Sequence, residues 1–283
     1  MVGSKNKIGA VLKVIFILFF SFMFLLPLWL ILTASFEESM SFTKNGYSLV
    51  INQFSVAAYQ KLFADNLFWS SFLNSFWVTA VTVVLSLFVN TLTAYVLHEK
   101  QLPFHRMLNF LFVFTMFFNA GMIPTYLVIK SLKMTDSFLA LILPASLGVY
   151  NILLIRSYLY SLPKAMEESA HMDGATHMQV LIHIILPVAL PVIITTGLIT
   201  LISKWNSWMD VLIYISKTDG QKFWTVQYYL RYLREAAEDP TGALRMENLL
   251  SAAIVVTVLP VVALFPVLQK YFANGIALGA VKG

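Results

Sequence analysis

The chain contains no cysteine and carries little charge. Only 12% of its 283 residues are Asp, Glu, Lys or Arg. The missing thiols exclude disulfide bonds, Cys-ligated zinc and iron–sulfur clusters. Its five histidines show no ligand spacing such as His-Glu-x-x-His, so no metal site is predicted.

Two further absences limit the chemistry of the chain. It has no Gly-rich phosphate loop ending in Gly-Lys-Ser/Thr, so any ATP must be bound by a partner. Its long apolar runs contain no acidic residue, and no inverted repeat is visible. These absences disfavour a membrane-embedded enzyme, a channel and a secondary transporter, which remain the competing classes.

The composition is instead that of a membrane protein. Hydrophobic residues make up 59% of the chain, and the mean hydropathy is +0.77. The net charge of +5 could indicate nucleic-acid binding, but the basic residues are spread thinly between apolar runs. We therefore predict an all-α membrane protein that binds no nucleic acid.

Six apolar runs are long enough to cross a membrane, which needs about 20 helical residues for about 30 Å of hydrocarbon. The predicted spans cover residues 11–34, 72–97, 107–130, 137–159, 183–204 and 248–270, within a single domain of residues 1–283. Gly121 and Pro124 interrupt the third span, and the first is too long for a signal peptide. Amides inside the spans are predicted to bond between helices, namely Asn74, Asn90, Asn109, Asn119 and Asn151.

An even number of spans places both termini on the side of the loop at residues 161–187. The basic residues are shared almost evenly between the two sides, but segments 35–71 and 205–247 are long, and long segments count less in setting topology. We therefore predict that the termini and the loop are cytoplasmic and that 35–71 and 205–247 are external.

The loop at 161–187 contains a predicted surface helix from Pro163 to Asp173. Proline suits the first turn of a helix, and Gly174 is the residue type on which a helix most readily ends. Ser169 and Ala170 form a small-residue patch that a partner could approach closely. The residues alone leave open a simpler interpretation, a solvated loop joining two spans.

The same loop resembles the EAA loop of the integral membrane permeases of binding-protein-dependent ABC importers. That pattern is Glu-Ala-Ala, a glycine, and then Ile-x-Leu-Pro, and it is matched here by Glu168, Ala170, Gly174, Ile184, Leu186 and Pro187. Only Ser169 departs from it. Segments 118–126, 205–208 and 272–283 are similar to parts of carbohydrate permeases of the maltose type, which import complex oligosaccharides. A permease for a non-sugar solute remains the alternative.

The resemblance implies the type I ABC importer permease fold with a cytoplasmic coupling helix, in the bacterial plasma membrane. It also implies a second permease, two ATPase subunits that bind ATP and Mg, and an extracytoplasmic solute-binding protein, with no cofactor in this chain. The implied contacts to the ATPase are Glu167, Glu168, Ser169, Ala170, Asp173 and Gly174.

A substrate pathway is predicted from residues of the third and fourth spans and from the segment where the fifth span ends. Its candidates are Asn119, Tyr150, Asn151, Trp205, Asn206, Trp208 and Asp210. Asn206 and Asp210 could equally cap helices. The aromatic residues after the fifth span could stack on sugar rings, or they could lie at the membrane interface or in the protein core. A third alternative is that they and the loop around Tyr47 form a docking surface for the binding protein. Apolar spacing also predicts an external amphipathic helix from Phe223 to Ala237.

Overall fold

The computed structural model describes residues 5–118, 120–216, 220–237 and 247–280. In these residues the protein is helical, and the extended pairing consists of one isolated bridge between Glu37 and Phe54. The prediction of an all-α membrane protein is confirmed. The helices in chain order are α1 (Lys5–Ser35), α2 (Ser39–Asn45), α3 (Ala57–Ala64), α4 (Asn66–His98), α5 (His105–Phe117), α6 (Met122–Ser131), α7 (Phe138–Ser146), α8 (Val149–Tyr160), α9 (Ala165–Met172), α10 (His177–Val180), α11 (Leu186–Trp205), α12 (Met209–Tyr214), α13 (Val226–Ala237) and α14 (Glu247–Ala280).

Four described helical segments are long and apolar enough to cross a membrane. They are Gly9–Ser35, Asn66–His98, Phe138–Leu159, which joins α7 and α8, and His177–Trp205. A fifth candidate is the bent pair α5 and α6, and a shorter apolar stretch, Asn248–Leu264, lies where the sixth span is predicted. The count of six spans stays a prediction.

The third predicted span is a broken helix. Helix α5 ends at Phe117, α6 begins at Met122, and the pair is bent by 115°. Gly121 precedes α6 with a φ of 90°, a conformation that glycine adopts without steric cost. The break therefore lies at the interruption predicted for the span 107–130.

The start of the fifth predicted span is also irregular. A π-helical turn, Leu181–Ile185, joins α10 to α11, and Pro187 follows directly in the first turn of α11. Proline has no N–H to donate to the carbonyl four residues earlier, so the regular ladder is interrupted here. Farther along α11, the hydroxyl of Thr195 donates to the carbonyl of Pro191 at 2.8 Å.

The predicted external helix begins later than expected, at Val226. Before it, Phe223 ends a short 3₁₀ turn. The amide of Asn74 donates to the carbonyls of Lys222 and Trp224, at 2.8 and 3.0 Å, while the N–H of Val226 donates to Ser75 Oγ at 2.7 Å. These side-chain partners replace helical hydrogen bonds, which explains the later start.

Contacts divide the chain into two compact units, Met1–Trp69 with Tyr229–Pro260, and Ser70–Tyr228 with Val261–Gly283. The first unit contains α1 to α3, and the second contains the loop 161–187. The prediction of one domain over 1–283 stays a prediction.

In the first unit, a buried carboxylate organises the segment after α1. Glu37 is 3% exposed and accepts hydrogen bonds from the hydroxyl of Ser41 and from the N–H groups of Asn52, at 2.8 Å, and Gln53, at 3.1 Å. Its backbone carbonyl accepts the amide of Asn248 at 3.1 Å. Burial raises the pKa of Glu37, but these hydrogen bonds outweigh burial and leave the pKa below its ordinary value.

Replacing Glu37 with glutamine should destabilise this segment by about 1–3 kcal/mol, because an NH₂ group would face a buried donor. The lowered pKa means that the carboxylate stabilises the fold fully above its unfolded pKa of about 4.3, and that this stabilisation is lost as the pH falls through the folded pKa. Thermal unfolding of the wild type and of Glu37→Gln should therefore be measured at neutral pH and below pH 4. We expect the difference in Tm between them to be smaller at the lower pH. A difference independent of pH would contradict this account.

The core of the second unit lies beneath the loop 161–187. Its buried members come from α4, α8, and the stretch from α10 into α11, namely Ala94, Leu97, Ile152, Ile155, Leu159, Val180, Leu181, Ile185, Ala189, Val192 and Ile193. Ala170 and Ala175 of the loop pack against this cluster. Val180, Leu181 and Ile185 of the loop are themselves members of the cluster, so the loop is packed onto α4, α8 and α11 rather than extended into solvent.

Candidate functional site

The polar loop contains a short helix with a well-defined end. Helix α9 is followed by Gly174 with a φ of 83°. The N–H of Gly174 donates to the carbonyl of His171 at 3.0 Å, and the N–H of Ala175 donates to that of Ala170 at 2.9 Å. This pair of bonds is the Schellman motif, in which glycine supplies the left-handed residue. A helix therefore lies within the predicted range Pro163–Asp173, from Ala165 to Met172, and Gly174 ends it as predicted.

The chain then turns directly into α10. Thr176 accepts the N–H of Gln179 on its hydroxyl, and the Gln179 side chain accepts the N–H of Thr176 at 2.8 Å. This reciprocal capping box fixes the start of α10. The two local motifs, at Gly174 and Thr176, thus fix the direction of α9 relative to α10.

The predicted ATPase contacts do not all face the same way. Glu168, Ser169, Asp173 and Gly174 are exposed, whereas Ala170 is half-buried on the core. Glu167 points inward, with Oε1 3.4 Å from Nε2 of His98 and with 22% of its side chain exposed. The exposed set forms a small, acidic surface at the tip of the loop, and the inward position of Glu167 was not predicted.

A second site is a pocket of about 500 Å³ at the junction of α11 and α12. It is lined by Ala145, Gly148, Tyr150, Asn151, Ile199, Thr200, Ser203, Lys204, Asn206, Ser207, Trp208, Met209 and Asp210. Five of the seven predicted pathway residues are among them. Tyr150, 55% exposed, offers a ring face, while hydroxyl and amide groups supply polar contacts.

An ion pair lies in the wall of this pocket. Lys204 Nζ is 2.6 Å from Asp210 Oδ2, and Ser207 Oγ donates to the same oxygen at 2.7 Å. The lysine side chain is only 4% exposed, whereas the carboxylate is 34% exposed. Asp210 therefore neutralises a buried ammonium group and still reaches the pocket. Lys204 was not predicted as a site residue. The signal that could have identified it was a single lysine at the end of an otherwise apolar run.

A chain of hydrogen bonds continues from the pocket wall into α4. The amide of Asn151 donates to Thr200 at 3.0 Å, and the Thr200 hydroxyl lies 3.3 Å from that of Ser86. Asn90 donates to Ser86 at 2.7 Å and accepts the N–H of Gly148, which is freed by the break between α7 and α8, at 3.1 Å. The prediction of bonds between helices is thus confirmed for Asn90 and Asn151.

Asn109 behaves differently. Its amide donates to the carbonyl of His105, one turn earlier in α5, at 2.8 Å, and lies 2.9 Å from the ring of the same residue. The prediction of a bond to another helix is wrong for this amide, because its own helix supplies the partner. Asn119 lies outside the described residues.

Comparison with known proteins identifies the family. Residues 68–278 match the family described as "Binding-protein-dependent transport system inner membrane component". The chain belongs to this family. It is therefore a component of a transport system and a multi-pass protein of the inner membrane, not an enzyme, and the alternatives of a membrane-embedded enzyme and a secondary transporter are set aside.

Similar proteins extend the family assignment over almost the whole chain. The polygalacturonan/rhamnogalacturonan transport system permease protein YtcP of Bacillus subtilis is 35% identical, over 99% of this chain and 100% of that protein. The arabinooligosaccharides transport system permease protein AraQ of Halalkalibacterium halodurans is 28% identical, over 94% of each chain. A chain in the crystal structure of a bacterial ABC transporter involved in the import of the acidic polysaccharide alginate superposes with a TM-score of 0.87 at 29% identity, covering 96% of this chain and 99% of that one. The predicted importer permease fold is confirmed.

Within this family member, the structure distinguishes among the predicted pathway residues. Trp205 is 5% exposed and packs edge-to-face on Phe72 with ring centroids 5.9 Å apart, so it does not line the pocket. Asn206 ends α11, and its amide donates to the carbonyl of Ile202 at 2.9 Å. The capping interpretation of Asn206 therefore has a direct structural basis.

The other aromatic residues of segment 205–247 that the sequence singled out are mostly buried. Trp224, Tyr228 and Tyr229 are 5%, 6% and 0% exposed, whereas Tyr232 is 41% exposed. The hydroxyl of Tyr229 donates to Asp65 at 2.6 Å; burial and this carboxylate raise its pKa, so it stays a donor. For these three residues the structure favours the core interpretation over stacking on sugar.

Proposed function

We propose that this chain is the membrane subunit that passes oligosaccharides, delivered by an extracytoplasmic binding protein, through a binding-protein-dependent importer. The observation that carries the proposal is the pocket at the α11–α12 junction, where Tyr150 and Trp208 lie beside hydroxyl, amide and carboxylate groups. Sugar rings have apolar C–H faces and polar rims, which such a lining complements. Relatives named for arabinooligosaccharides and polygalacturonan support the same substrate class.

Energy would reach the pocket through helix α9. We infer that its exposed residues Glu168 and Ser169 dock on one of two cytoplasmic ATPase subunits, which bind ATP and Mg, and that a second permease completes the pathway. Closure of the ATPase pair would move α9 as a rigid element, because the Schellman motif and capping box hold both ends of its following turn. Asp173 and Gly174 would lie at the edge of this docking surface.

The experiment that tests the substrate class uses the purified complex with its binding protein in proteoliposomes. Neutral and acidic oligosaccharides of increasing length are added, and ATP hydrolysis and uptake are measured together. We expect one class of oligosaccharide to stimulate both. Stimulation by an amino acid or an inorganic anion, with none by any sugar, would replace the proposal with the non-sugar alternative.

The orientation of the chain can be tested by labelling, since the sequence has no cysteine of its own. A single cysteine at His171, exposed at the end of α9, should react only with a reagent that reaches the cytoplasm. A single cysteine at Tyr47, 52% exposed in the segment after α1, should react from outside. External labelling at His171 would overturn the proposed cytoplasmic position of the loop and of both termini.

A further inference from the structure

The last turn of α4 contacts the loop 161–187 on both sides of its central turn. On one side, His98 Nε2 lies 3.4 Å from Glu167 Oε1 of α9. On the other side, the hydroxyl of Tyr95 donates to the carbonyl of His177 in α10 at 3.2 Å. Helix α4 therefore contacts both the helix that carries the exposed acidic surface and the helix that leads into α11.

The imidazole of His98 is held from behind by α8. The ring of Tyr160 packs against it with centroids 4.7 Å apart, and Arg156 donates to the hydroxyl of Tyr160 at 3.1 Å. Arg156 also donates to the carbonyl of Leu97 at 3.0 Å, which binds the end of α4 to α8. Only 13% of the His98 side chain is exposed, so the packing around it leaves little room for the ring to move when Glu167 moves.

The neighbouring glutamates of α9 are therefore different in kind. Glu168 is exposed and available to a partner, whereas Glu167 is turned into the protein and contacts a histidine fixed by two other helices. Successive residues of a helix point about 100° apart, so a helix with one outward and one inward carboxylate is rotationally fixed when the inward one is held. A displacement of the outward surface is then passed to α4 through this contact as well as along the chain into α11.

We propose that His98 and Glu167 form an internal joint that fixes the rotation of α9 on α4 and transmits movement of the docked loop to the membrane helices. Both are positioning residues and contact neither solute nor nucleotide. The inference rests on the proposed docking of α9 but adds a part of the machinery inside this chain. Coupling of this kind is carried by packed elements that shift together.

The joint should matter for coupling more than for stability. The two side chains are only 13% and 22% exposed, and a single polar contact of this kind contributes about 0.5–1.5 kcal/mol, so its loss should leave the complex assembled. Without it, α9 could rotate on its core contacts at Ala170 and Ala175 while the ATPase cycles. Hydrolysis would then continue with less movement of α4.

The test compares His98→Ala, Glu167→Ala and the double variant in proteoliposomes containing the whole complex. We expect each single variant to lower the amount of solute transported per ATP hydrolysed by about threefold, the order of effect found for residues along a coupling network. The double variant should lose no more than either single one, since both remove the same contact. Glu167→Gln serves as a second variant should an alanine variant fail to assemble, and its loss should be in the same direction.

The matched control is His183→Ala. This histidine is exposed on the π-helical turn of the same loop, and its Nδ1 lies 3.1 Å from the carbonyl of Gln179 in the preceding turn. Single variants that behave like the control, or losses that add in the double variant, would overturn the joint. Failure of the docking proposal is separate, because it would appear as normal copurification and normal transport in a variant of the exposed Glu168.

Discussion

Replacing Glu168 with lysine should abolish stimulation of the ATPase by the loaded binding protein. The glutamate is exposed near the start of α9, so the change reverses the charge of the docking surface without disturbing a buried contact. In the proposed docking, Glu168 pairs with a basic group of the ATPase, so lysine would bring two like charges together. Like charges in an interface cost several kcal/mol, which corresponds to a loss of more than about tenfold. Substitutions of exposed residues usually change the free energy of unfolding by about 0.5 kcal/mol or less. Lysine near a helix N-terminus lowers the stability slightly further, because its charge opposes the helix dipole.

The measurement is ATP hydrolysis by the reconstituted complex with and without loaded binding protein, together with copurification of the ATPase. Glu168→Gln is the graded control, because it removes the charge but keeps the shape, and it should retain part of the stimulation. Normal uptake by Glu168→Lys in vesicles would contradict docking through the exposed face of α9.

Replacing Asp210 with alanine should produce the largest loss of stability. Lys204 would keep its ammonium group 4% exposed with its 2.6 Å partner removed, and Ser207 would lose its acceptor. Removing one member of a buried ion pair costs about 3–5 kcal/mol, and the lower end of this range applies because Asp210 is one-third exposed. The measurement is the free energy of unfolding, or the shift in Tm, of the purified protein.

Two comparisons make this prediction specific. Asn206→Ala removes a helix-end hydrogen bond beside the same pocket and should cost about 0.5–1.5 kcal/mol. Lys204→Met combined with Asp210→Ala removes both charges and should recover most of the loss. A cost for Asp210→Ala no greater than that for Asn206→Ala would show that Lys204 finds another partner.

Parts of the site could be predicted because they depend on residues close together in the chain. Gly174 ends α9 through its own backbone freedom, and Gly121 interrupts the third span for the same reason. The apolar spans follow from composition over about 20 residues. The family resemblance likewise depended on the linear spacing of Glu168, Gly174 and Pro187.

Other parts depended on which helices meet. From the sequence, Glu167 and Glu168 were predicted to have the same role. The structure shows that Glu167 faces inward, toward His98, whereas Glu168 faces outward, and His98 is distant in the chain. The predicted pathway residues could not be sorted either, since Trp205 is buried against Phe72 while its neighbour Trp208 lines the pocket.

The sequence by itself determined the class of protein, the loop with its helix and glycine stop, and the family, since hydropathy, backbone freedom and motif spacing are properties of short stretches of chain. Only the tertiary structure decided the pairing of Lys204 with Asp210, the contact of His98 with Glu167 and the polar chain through Asn90. Burial and pairing of a polar side chain depend on helices distant in sequence, because a buried charge or amide is stable only where another element brings it a partner.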